Sequence, residues 1–155
     1  ELDARLAPVV ADPAALTLVF DLARLEYGSS AGIRSVVKAR KALEARVVKA
    51  LEKQLEVVPE DVRARVLLAV NYALVARRSD AVRELEKAVT MRFNDPNVLY
   101  NAACAYGIMN MKKEALEMLK KAKAAGYANL EWANRDPDLA CVHDDAEFQL
   151  LFAPR

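Results

Sequence analysis

The sequence predicts an all-α fold, a solenoid of antiparallel helix pairs, and three observations carry that expectation. Only four Gly and six Pro occur in 155 residues, while Ala, Leu, Val, Lys and Glu dominate, a mixture that favours helix. Three Asp-Pro pairs, Asp12-Pro13, Asp95-Pro96 and Asp136-Pro137, each mark a helix start. Asp accepts bonds from unpaired first-turn amides, and Pro loses nothing where its donor would be idle. From Pro59 onward the chain repeats itself at a spacing of 34.

Taken in order, Leu2 to Val10 reads as a short helix ended by Pro8 or by the Ala11-Asp12 step. Ala14 to Tyr27 follows as a second helix. Leu16 to Phe20 is an apolar run compatible with a strand, but Leu22 and Leu25 continue a helical period. Gly28-Ser29-Ser30-Ala31-Gly32 reads as a flexible joint. Ile33 to Val58 reads as one long helix with an apolar stripe through Val36, Leu43, Val47, Leu51 and Leu55. Lys38, Arg40, Lys41, Arg46 and Lys49 make much of its remaining surface basic, a solvated face or a dock for an acidic partner.

The repeat superposes Val62–Asp95 on Pro96–Asn129. Ala69 falls on Ala103, Tyr72 on Tyr106, Ala81 on Ala115, Leu85 on Leu119 and Ala88 on Ala122. Small residues at these positions let paired helices approach, and Leu68, Tyr72 and Leu85 fill the space between successive pairs. Gly126 stands where a helix C-cap belongs. The expected organisation is N-terminal helices and joint over 1–32, then a helical domain over 33–155. Within that domain 61–95 and 96–129 are clear repeats. Val47 to Pro59 reads as part of a degenerate preceding unit, and 130–155 as a helical cap with short helices from near Leu130, Asp136 and Asp144.

These residues resemble the tetratricopeptide repeat, whose two-helix unit is 34 residues long with small and aromatic residues at these offsets. Asn110 stands at the family's turn glycine, whereas Ala76 at the equivalent site departs from the pattern. The ending through Trp132, Asp136-Pro137-Asp138 and Asp144 to Phe148 is similar to tetratricopeptide regions that trail bacterial multidomain signalling proteins. The resemblance implies a concave groove lined by the first helix of each unit. Its positions here are Arg63, Val66, Leu67, Val70, Ala73 and Leu74 from the first unit, and Asn97, Tyr100, Asn101, Cys104 and Ile108 from the second. Only Asn101 matches the pattern of relatives that grip a peptide carboxylate, and Val66 and Val70 stand where polar residues would be needed. The expected groove is mainly apolar and holds a partner helix or peptide. The alternative is a structural domain whose groove is filled by its own N-terminal helices or by a second subunit, a homodimer.

Other function classes find little support. Lys+Arg 23 against Asp+Glu 22 gives no cationic excess for nucleic acid or anionic lipid. No run of about 18 apolar residues is present for a membrane span. Cys104 and Cys141 are too few for a disulfide framework and read as reduced thiols of a cytoplasmic protein. The single histidine, His143, has only Cys141 at ligand spacing and reads as part of a cap ahead of an Asp144–Phe152 helix, with Glu147 as a capping-box partner. Trp132 is expected to pack in the cap, and Met109, Met111 and Met118 to fill gaps. No phosphate loop, nucleophile elbow or CxxC pair occurs, so no enzyme, cofactor or metal is expected. The chain opens at Glu1 without Met and reads as a segment of a longer parent, which would carry any targeting signal.

Overall fold

The computed structural model describes residues 30–152, and side chains from 37 to 152; every regular element among the described residues is helical. The expected helices Leu2 to Val10 and Ala14 to Tyr27, the Asp12-Pro13 start and residues 28–29 of the joint lie outside the described residues. α1 spans Ser30–Val57, so Ser30, Ala31 and Gly32 are helical where the joint was expected. The chain divides into two compact units, Glu1–Ala50 and Leu51–Arg155. In the first unit, the described part of α1 carries an Arg40–Glu44 ion pair of 2.7 Å, one helical turn apart.

The second unit holds the last turns of α1 and all later helices: α2 (Val62–Leu74), α3 (Arg78–Met91), α4 (Pro96–Ile108), α5 (Lys112–Ala124), α6 (Leu130–Ala133) and α7 (Ala146–Phe152). A 3-10 turn at Pro137–Leu139 lies between the last two. α2 packs on α3 and on α4, α4 also packs on α3 and α5, and α5 meets α7. Among the described residues no helix is long and apolar enough to cross a membrane.

Local chemistry sets these boundaries. Asp61 caps α2 by accepting from the Ala64 amide at 3.0 Å, and Asp95 caps α4 by accepting from Asn97 and Val98. Pro96 occupies the first turn of α4, as the Asp-Pro reading predicts. Three helices end alike. The residue after the cap is left-handed at Ala76 (φ 60°), Asn110 (φ 57°) and Gly126 (φ 99°). In each case two amides turn back onto the last turn: Ala76 to Ala73 and Arg77 to Tyr72, Asn110 to Gly107 and Met111 to Tyr106, Gly126 to Lys123 and Tyr127 to Ala122. Ala76, which the sequence marks as a departure, therefore makes the same turn as Asn110 despite its Cβ.

The small residues of the repeat do what their size allows. Ala69, Ala81, Ala88, Ala103, Ala115 and Ala122 have no exposed surface, and Leu85 and Leu119 are equally buried between them. Tyr72 donates to Glu52 at 2.6 Å, and Arg77 lies 4.2 Å over the Tyr72 ring while bonding Glu52 at 3.1 Å. Together they fasten the end of α1 to the first hairpin. Burial, then the Glu52 carboxylate, push the Tyr72 phenol up to about 12.

One ion pair is buried between α2 and α3. The Arg65 guanidinium bonds Glu84 and the Pro59 carbonyl, and Lys87 reaches the same carboxylate at 3.0 Å. Burial alone would raise the Glu84 carboxyl, but Lys87 and Arg65 outweigh it and hold the group below its ordinary range.

In the cap, α7 begins at Ala146 with the Asp145 carboxylate accepting from the Glu147 amide at 2.9 Å. The expected start at Asp144 is thus shifted, and Glu147 pairs with Lys120 on α5 instead of closing a capping box. Phe148 and Phe152 are fully buried, their rings tilted against each other with centres 4.8 Å apart.

Two outcomes are expected in urea denaturation. Ala76→Gly relieves a left-handed alanine and raises stability by about 0.5–1 kcal/mol, a gain that an unchanged midpoint would refute. Glu84→Ala strands Arg65 in a buried site and costs about 3–5 kcal/mol. Because the folded Glu84 carboxyl lies below its unfolded value, its contribution is complete above roughly pH 5 and is lost as pH falls. The acid limb of the wild-type stability profile is therefore expected to flatten in Glu84→Gln.

Candidate functional site

A cavity of about 730 Å³ opens between α2, α4 and the cap. Two rows of equivalent residues form its walls. Arg63, Val66, Leu67 and Val70 come from α2; Asn97, Tyr100, Asn101 and Cys104 come from α4, each 34 positions after its counterpart. Leu74 and Ile108, the last expected groove positions, are not in the lining: Leu74 is exposed and Ile108 half-buried farther along their helices.

The lining mixes apolar and polar side chains. Val66 turns into the core, where it packs with Ala88 and Val98, and Tyr100 is only 5% exposed. What faces solvent along the rows is Arg63, Leu67, Asn97 and Asn101. The Asn101 amide is partly engaged, donating to the Asn97 carbonyl at 2.8 Å.

The cap brings in residues that the helical pattern does not assign to the groove: Trp132, Asp136 and Asp138, alongside Asp95 from the α4 cap. Trp132, expected to pack inside the cap, is instead 50% exposed at the cavity. Asp136, only 4% exposed, accepts from Tyr100 Oη at 2.6 Å, lies 3.5 Å from Cys104 Sγ, and receives the Asp138 amide at 3.0 Å. Tyr100 also stacks on Tyr127, the ring centres 4.1 Å apart and nearly parallel. Burial, then the hydrogen bond to Asp136, push the Tyr100 phenol far up. Burial, then the charge of Asp136, do the same to the Cys104 thiol. Both groups are protonated donors that hold a buried carboxylate.

Cys104, Asp136 and Asp138 bring one ligating atom each within 4.8 Å of one another. Asp136 already accepts bonds on both of its oxygens, from Tyr100 and from the Asp138 amide. The trio is a hydrogen-bonded wall. Asp138 differs from Asp136: burial, then Asp136, raise its carboxyl, and among the described residues it has no hydrogen-bond or ion-pair partner.

Gly107 permits this arrangement. It is buried in α4, and a Cβ there would collide with the Asp138 carbonyl. A glycine inside a helix is a local cost, and the close approach of another backbone is a reason for keeping it. That glycine is the one sequence signal that something lies against α4 at this height; nothing local identifies the something as Asp136-Pro137-Asp138. His143 sits apart, with Nε2 3.3 Å from the Ala133 carbonyl and its ring 5.2 Å from Phe148. Cys104 is buried and Cys141 half-buried, both as free thiols.

No protein-family model matches the chain, and no curated protein or solved structure matches it either.

Gly107→Ala is expected to push the Pro137–Leu139 turn off α4 and destabilise the protein by about 1–3 kcal/mol. Site-resolved thiol labelling reads the displacement: Cys104, protected in the wild type, becomes reactive before global unfolding. Protection that persists in Gly107→Ala would show that α4 and the turn are not in register through this glycine.

Proposed function

We propose that the chain is a tetratricopeptide-like docking module, a helix-pair solenoid that holds a segment of another protein in the groove between α2, α4 and the cap, without catalysis of its own. The observation that carries this reading is the placement of two rows, 34 residues apart in sequence, along one open cavity. A groove of several hundred cubic ångströms with apolar rims at Leu67 and Trp132 suits a short peptide segment or one face of a helix. Two equivalent helix ends support the repeat reading, because Ala76 and Asn110 make one and the same turn 34 residues apart. The near balance of charge gives no reason to invoke nucleic acid or membrane, and a cytoplasmic setting is in keeping with two free thiols. A bacterial signalling parent remains part of this proposal through the resemblance alone.

Affinity capture from an extract of the source cells, read by mass spectrometry, compares the wild type with Leu67→Arg. Leu67 is 54% exposed, so its replacement fills the groove without disturbing the core. A protein retained by the wild type and depleted at least tenfold by Leu67→Arg, with unchanged circular dichroism, is the expected result. Equal retention by both would place any partner outside the groove, and a groove filled by the chain itself would leave no partner to lose.

A further inference from the structure

Resting on that docking reading, we infer that the groove selects a partner segment carrying a lysine or arginine, whose cation is received at Asp138 beside the Trp132 face. The groove is lined by three carboxylates, Asp95, Asp136 and Asp138, against one guanidinium, Arg63. Asp95 and Asp136 are already engaged as helix caps, and Asp136 also with Tyr100. Asp138 alone offers a carboxylate without a partner among the described residues, half out of water and next to another anion. Its charge is disfavoured where it stands, and a cation entering the groove would relieve it. Trp132, half-exposed on the same cavity, supplies an aromatic face of the kind that holds ammonium and guanidinium groups. Leu67 leaves apolar surface for a neighbouring aliphatic residue of the same segment.

Charge also argues against the chain's own N-terminus as the occupant. Residues 1–29 carry Glu1, Asp3, Asp12, Asp21 and Glu26 against Arg5 and Arg24, so five acids against two bases would enter a groove that is itself acidic. A second copy could offer the basic residues of α1, and sedimentation of the free chain tests that occupant directly.

The experiment is selection of a phage-displayed library of random 12-residue peptides on the full chain. Titration of the recovered peptides then follows the fluorescence of Trp132, the sole tryptophan. The expected result is enrichment of Lys and Arg over Asp and Glu, with binding that weakens as salt rises and falls about tenfold in Asp138→Asn. Asp138→Asn keeps the backbone amide that bonds Asp136, so the wall stands while the charge is gone. Neutral or acidic peptides that bind the wild type and fail on Leu67→Arg would overturn the charge preference and leave the groove a docking site. Failure to recover any peptide sensitive to Leu67→Arg would overturn the docking reading as well. A concentration-dependent dimer dissociated by Leu67→Arg would assign the groove to a second copy and overturn the separate basic partner.

Discussion

The groove depends on a carboxylate that cannot be taken from water unaccompanied. Asp136 is buried, and an ion in that position is tolerated only with donors on every side. Tyr100, the Cys104 thiol and the Asp138 amide supply them, and they come from two parts of the chain. The bond set therefore does two things at once. It neutralises the cost of the buried charge, and it fixes the cap against α4 at one height, which Gly107 makes sterically accessible. Move the cap by a residue and Asp136 loses Tyr100 and Cys104 together, keeping only the Asp138 amide that travels with it.

The two hairpins show how one repeat supports different chemistry. Their packing positions are near-identical in kind, alanine on alanine, leucine on leucine, tyrosine on tyrosine, because the spacing between helices tolerates little change in volume. Their groove positions are not: Arg63 corresponds to Asn97, Val66 to Tyr100, Leu67 to Asn101 and Val70 to Cys104. The first row ends in apolar side chains, whereas the second presents hydroxyl, thiol and amide groups. The polar row is the one the cap covers, and Tyr100 and Cys104 are polar because Asp136 must be met there.

The helices were largely readable because their signals are local. Asp95 and Asp136 cap, Pro96 and Pro137 start, and the apolar spacing from Val62 to Ala122 follows the helical period. Ala76 was not readable, since its left-handed turn is imposed by the return of α3 onto α2 against the residue's own preference. The two rows of the groove were legible through the 34-residue repeat. Its third wall was not. Asp136 and Asp138 reach α4 through a fold-back of more than thirty residues, Trp132 lines the cavity from the same cap, and each reads locally as a cap residue or a core aromatic. Which groove positions stay open was not legible for a related reason: periodicity reports that Val66 and Tyr100 face a helix neighbour, but not whether they are covered by it.

The distance in sequence between Tyr100 and Asp136 has a consequence for the order of assembly. Most helix contacts join neighbours along the chain, so the hairpins can close as they emerge during synthesis. Asp136 follows Tyr100 by 36 positions. At 5–20 residues per second the ribosome delivers that partner roughly two to seven seconds later. For that interval the nascent protein holds the Tyr100 hydroxyl and the Cys104 thiol without the carboxylate that they serve in the finished molecule.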